Sequence, residues 1–119
     1  MRKLIKIPGA CVPCALQYAS GIDEETVLRI CALHGFEAGE GMCDHEYLEA
    51  AADLKMKLKR VNVDAEPLNK FMRRHKNGLY LLVTFDHMFV LDSSIIVDPR
   101  NKRAPGLWRV IREAYRVLR

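Results

Sequence analysis

No apolar run in this sequence approaches the roughly 20 residues that a membrane-spanning helix needs. The longer ones, such as residues 79–83 and 94–97, are no longer than strands, so a bilayer-spanning segment is not expected. An apolar signal-peptide core is lacking too, because Pro8 and Gly9 follow directly on Arg2, Lys3 and Lys6. Cytoplasmic residence is therefore expected. There is no internal repeat, no low-complexity tract and no linker, and 119 residues leave no room for a second core. Residues 1–119 are read as one domain. The basic C-terminal part carries Arg100, Lys102, Arg103, Arg109, Arg112, Arg116 and Arg119 within a formal net charge of +4. It lacks a nucleic-acid-binding motif with interleaved aromatic residues, so a solvated surface is expected there rather than a phosphate-binding one.

Half of the residues are hydrophobic and 29% are charged, the balance of an ordinary folded domain. Four cysteines are present, and in an intracellular setting they are read as thiols, not disulfides. A short extended start over residues 3–7 gives way at Pro8-Gly9. Pro13 is tolerated in a first helical turn, which predicts a helix over about residues 12–19 that stops at Ser20-Gly21. Asp23 caps a second helix with Val27, Ile30, Cys31 and His34 on one face and Gly35 as its stop. Asp44 caps a third, whose stripe of Leu48, Ala51, Ala52 and Met56 extends to about residue 57. Pro67 opens a short fourth helix ended by Asn77-Gly78. The period then becomes extended over residues 79–85, 87–91 and 95–98, giving antiparallel strands. Residues 100–106 read as loop, and the tail from Leu107 fits a helix or a strand, with a final strand preferred. Helices followed by strands make an α+β order.

The chemistry lies in a cysteine near the start and a histidine near the end. The thiolate is the reactive form of cysteine, and a helix N-terminus, with unpaired N–H groups and the positive end of the dipole, favours it. Cys11 stands at such a place. An imidazole can take the thiol proton and return it to a leaving group, and His87 is the candidate. With a two-residue turn at Asp92-Ser93, His87 falls directly opposite Asp98; moving the turn to Ser93-Ser94 keeps the two on one face without direct opposition. A three-residue turn puts them on opposite faces unless a bulge intervenes. In the directly opposed register, Asp98 would orient the ring and stabilise its charged form. His34 is expected to pack, and His45 and His75 to face solvent.

The order Cys11, His87, Asp98 resembles that of papain-like cysteine peptidases, and Cys11-Val12-Pro13 is similar to the start of the bacteriocin-leader-processing members. A closer resemblance is to small, mostly phage-encoded cysteine-peptidase-like domains. It rests on Cys11-Val12-Pro13-Cys14-Ala15-Leu16 opening a helix, a short helix and basic turn over residues 71–78, and strands carrying His87 and Asp98. The resemblance implies N-terminal helices on a C-terminal antiparallel sheet, a Cys11-His87-Asp98 triad, cleavage of peptide or isopeptide bonds in a protein or peptide substrate, no cofactor, and a host cytoplasm if the chain is phage-encoded. Two departures stand out: no Gln precedes Cys11 to help hold an oxyanion, Gln17 lying on the wrong side, and Asp86 replaces the glycine common before the histidine.

Three alternatives accompany this expectation. Cys14 could be the nucleophile in place of Cys11, although Pro13 sets Cys11 at the helix entrance and Cys14 inside the first turn. The same fold could bind proteins without turnover, as the missing Gln suggests. Lastly, Cys11-x-x-Cys14 with Cys31-x-x-His34 and Cys43-x-His45 has zinc-ligand spacing, against which stands the helical setting of Cys31 and His34.

Overall fold

A computed structural model describes residues 10–37, 41–85, 87–98 and 108–118. The expected N-terminal extension, the Pro8-Gly9 break, Gly39, Asp86, Pro99 and the loop over residues 100–106 lie outside the described residues. The architecture is α+β. Helix α1 (Cys11–Ser20) begins with Cys14 N–H donating to the Ala10 carbonyl and ends at Gly21, whose left-handed φ of 73° lets its N–H reach the Gln17 carbonyl at 2.9 Å. Helix α2 (Glu24–Leu33) is capped by Asp23, which accepts from Thr26 N–H at 3.1 Å. Gly35, at φ 94°, follows its end.

Helix α3 (Asp44–Asp53) differs from the expectation at both ends. Cys43, not Asp44, is the N-cap, and the Glu46 carboxylate accepts from the Cys43 N–H at 2.9 Å. The helix stops well before residue 57. Lys55 takes a left-handed φ of 63°, with Lys55 N–H bonded to the Ala52 carbonyl and Met56 N–H to that of Ala51. This is a Schellman stop made by lysine where glycine usually provides it. Strand β1 (Lys57–Val61), which the sequence pattern did not predict, follows directly. Its charged alternation suits a sheet edge.

After the short β2 (Glu66–Pro67) and α4 (Leu68–Arg74) come β3 (Leu79–Val83), β4 (Met88–Asp92) and β5 (Ile95–Val97). The tail forms strands, β6 (Val110–Ile111) and β7 (Glu113–Leu118). The main sheet runs β1-β7-β3-β4-β5 with every neighbour antiparallel, and β2 pairs with β6 separately. The last strand thus enters the sheet between β1 and β3.

Alternation along the strands gives the sheet two buried faces. On one, Leu79, Leu81, Met88, Val90, Tyr115 and Val117 pack with Val12, Leu16, Val27, Cys31 and Ala50 from the first three helices. On the other, Tyr80, Leu82, Phe89, Leu91 and Ala114 pack with Leu68 and Phe71 of α4 and with Ile111. The helices therefore cover both faces. His75, expected in solvent, is half-buried instead, its ring 4.3 Å from that of Phe71 and 5.3 Å from that of Tyr80, because it caps α4 over the sheet.

The β4–β5 turn falls on Ser93-Ser94, not Asp92-Ser93. Both serines have positive φ, 47° and 72°, as a tight type I′ hairpin requires. Asp92 is held in the ladder opposite Leu79 and Ile95, and Tyr18 of α1 donates to its Oδ2 at 2.7 Å. Among the described residues no helix is long and apolar enough to cross a membrane.

Leu81 is fully buried in the central strand β3. Leu81→Ala should lower stability by about 2–5 kcal/mol in urea unfolding; a loss under about 1 kcal/mol would contradict the packing described.

Candidate active site

Cys11 is the first residue of α1, so its thiol stands where backbone N–H groups precede the helix's own hydrogen bonding. Packing of α1 on β3 and β4 carries that helix end to the start of β4. There His87 immediately precedes the strand. Its carbonyl accepts from Thr84 N–H at 2.8 Å and from the Thr84 hydroxyl at 3.3 Å, which fixes the short connection between β3 and β4. Asp98 immediately follows β5.

With Val90 opposite Val97, continuing the register sets Asp98 against Phe89, one diagonal step from His87. The side chains span that diagonal. His87 Nε2 lies 2.7 Å from Asp98 Oδ2, and the two side chains are 0% and 2% exposed. The His87 ring also stacks on Phe89, with centroids 6.0 Å apart. Nδ1 is buried without a conventional hydrogen bond, and the imidazole's other side-chain partner is the Cys11 thiol. Burial lowers the His87 pKa; hydrogen bonding and charge attraction from Asp98 and Cys11 outweigh it, so the net shift is upward.

The structure thus brings Cys11, His87 and Asp98 together and separates Cys14 from them in character. Cys14 is 2% exposed. Its thiol is pushed up to about 12, first by burial and then by the negative charges of Asp98 and Cys11. Cys31 is also buried, which raises its thiol to about 11. Gln17, six residues along α1 from Cys11, is buried.

Cys11 and His87 open onto a cleft of about 650 Å³. Cys43 and Glu46 line it from the start of α3, and Val83, Thr84 and Phe85 from the end of β3. Tyr47, at its floor, donates to Glu113 Oε2 at 2.7 Å, and Tyr115 donates to the same oxygen at 3.1 Å. Burial raises the Tyr47 pKa, and the bonds to Tyr115 and Glu113 add to it, so this hydroxyl stays protonated. Thr84, Phe85 and Tyr47 carry no local signal in the sequence, because their roles depend on which elements meet.

The proposed zinc set does not assemble. Among the described residues, the one group of three or more candidate ligands is Cys43, His45 and Glu46, with donor atoms within 4.8 Å of one another. Cys43 and Glu46 serve the α3 cap: Cys43 Sγ donates to Glu46 Oε1 at 2.9 Å, which is the first cause holding the Cys43 pKa up. His34 instead bridges α2 and α3, with Nε2 2.6 Å from Asp53 Oδ2 and Nδ1 3.4 Å from Glu49 Oε2, and the hydrogen bond to Asp53 leads the rise in its pKa. No protein-family model matches the chain, and no curated protein or solved structure matches it.

Removing the Asp98 charge should reverse the balance on the ring. In Asp98→Asn, burial acts with less opposition, so the His87 pKa followed by NMR should drop from above the unperturbed value of about 6.5 to below it. The native shift is upward, so the stability it confers is complete below about pH 6.5 and is lost as pH rises through the folded pKa. Asp98→Asn should therefore cost more stability near about pH 6 than near about pH 9. An unchanged His87 titration would contradict this.

Proposed function

We propose that the protein is a cysteine peptidase of papain-like arrangement that cleaves peptide or isopeptide bonds. The observation that carries this reading is the buried His87–Asp98 pair, with the imidazole's remaining partner a thiol at a helix N-terminus inside a cleft. Three features support it together: a thiol where a thiolate is favoured, an imidazole to take its proton, and a carboxylate to hold the imidazole's tautomer.

In the reaction, His87 Nδ1 takes the Cys11 thiol proton. Cys11 Sγ forms a bond to the carbonyl carbon as the C=O π pair moves onto oxygen. Backbone N–H groups of the first α1 turn are the donors proposed for that oxyanion. As the tetrahedral intermediate collapses, the C–N bond breaks and His87 delivers its proton to the departing amine. Water, deprotonated by His87, then attacks the thioester, releases the carboxylic acid and restores the thiol. Asp98 accepts from Nε2–H throughout and acts only through the ring. The substrate is a protein or peptide. By the resemblance, the setting is a cytoplasm, a host's if the chain is phage-encoded.

One feature favours a second reading, a binding domain without turnover: no Gln precedes Cys11, and losing one oxyanion donor costs about 100–1000-fold in rate. Incubation with a defined peptide mixture, read by mass spectrometry, separates the two. The wild-type chain and Cys14→Ser should yield the same cleavage products, while Cys11→Ala should lose at least about 10⁴-fold in kcat. Absence of products from the wild type would favour the binding domain, and products lost in Cys14→Ser but not Cys11→Ala would move the nucleophile.

A further inference from the structure

The connection that fixes His87 has a second cavity against it. Thr84 and Phe85 line the cleft beside His87 and also a separate hollow of about 360 Å³, whose other walls are Ala65, Arg109, Val110 and Arg112. This hollow is cationic. Nη1 of Arg109 is buried and has no hydrogen-bond partner. Among the described residues neither Arg109 nor Arg112 forms an ion pair, and Glu66, beside Ala65, is committed to Arg74. The Arg112 guanidinium lies 5.5 Å from the Phe85 ring centroid, a cation–π contact that holds it at the wall.

A buried guanidinium N–H without an acceptor is costly, and a carboxylate is the group whose two oxygens match its fork. In the wall of the hollow, Phe85 and Val110 are 84% and 45% exposed. They offer apolar contact to the aliphatic stem of an acidic side chain and to its neighbours.

We propose that this hollow is a specificity subsite which receives the side chain of an aspartate or glutamate in a peptide lying along the cleft, its carboxylate on Arg109 and Arg112. The proposal rests on the peptidase reading for the course of the peptide, but its test reads binding and needs no turnover. The Cys11→Ala protein is immobilised and challenged with a mixture of capped pentapeptide amides in which each position carries Glu, Asp, Gln or Asn. Retained peptides are identified by mass spectrometry. Glu and Asp at one position should be retained about tenfold or more over Gln and Asn, as hydrogen bonds between charged groups imply. Arg112→Gln, an exposed change that should leave the fold intact by circular dichroism, and Arg109→Gln should each reduce that preference to about twofold or less. Equal retention of acidic and amide peptides, or a preference unchanged in Arg112→Gln, overturns the proposal. So does displacement of the acidic peptides by a short oligothymidylate, which would make the hollow a phosphate site. If acidic peptides are retained through Arg109 and Arg112 while the wild-type chain cleaves nothing, the subsite stands and the peptidase reading fails. Cleavage without acidic preference gives the reverse.

Discussion

A histidine and a carboxylate that meet at 2.7 Å with almost no solvent exposure have given up their hydration, and their mutual contact, held by a fixed scaffold, helps to compensate for it. The structure around His87 and Asp98 supplies that scaffold. The Ser93-Ser94 turn sets the register that brings the two strand ends within one diagonal of each other. Thr84 fixes the backbone of His87 from the preceding strand. On the other side of the ring, α1 presents Cys11, and the same helix is tied to the hairpin through Tyr18 and Asp92. A one-residue slip of β4 against β5 would pull the imidazole and the carboxylate apart, and a slip of α1 would carry Cys11 away from the ring.

The two thiols of α1 differ because the helix has an end and an interior. Cys11 occupies the first helical position, partly exposed in the cleft, whereas Cys14, one turn further, faces the core and is pushed up to about 12 by burial and by nearby negative charge. The electrostatic asymmetry continues outside the pair. Tyr47 and Tyr115 gather on Glu113 beneath the cleft, while the cations Arg109 and Arg112 line the hollow that shares Thr84 and Phe85 with it. The Glu113 carboxylate is thus occupied by tyrosine hydroxyls while cations are left at the margin, a distribution suited to drawing in an acidic segment.

Much of the helical part was legible because its punctuation is local. Pro13, Gly21, Asp23 and Gly35 act within one turn of their own positions. The end of α3 was not, since a lysine makes the left-handed stop, and β1 was hidden by charges that suit an edge strand. Likewise, two serines with positive φ shifted the hairpin turn by one residue, where sequence preference favours asparagine and glycine. Cys11 is singled out by its helix entrance and His87 with Asp98 by strand alternation, and their order by the resemblance to papain-like peptidases. By contrast, Thr84, Phe85, Tyr47 and the arginine-lined hollow depend on long-range contacts that no local pattern encodes.

Whether Cys11 and His87 share a proton decides the chemistry of the site, and the pH profile of thiol alkylation by iodoacetamide, resolved by residue with mass spectrometry, measures that directly. The prediction is that Cys11 reacts ahead of Cys14, Cys31 and Cys43, with an inflection below the unperturbed thiol value of about 8.5, and that His87→Ala moves the inflection upward. A Cys11 inflection at or above that value, unaltered by His87→Ala, would contradict the account.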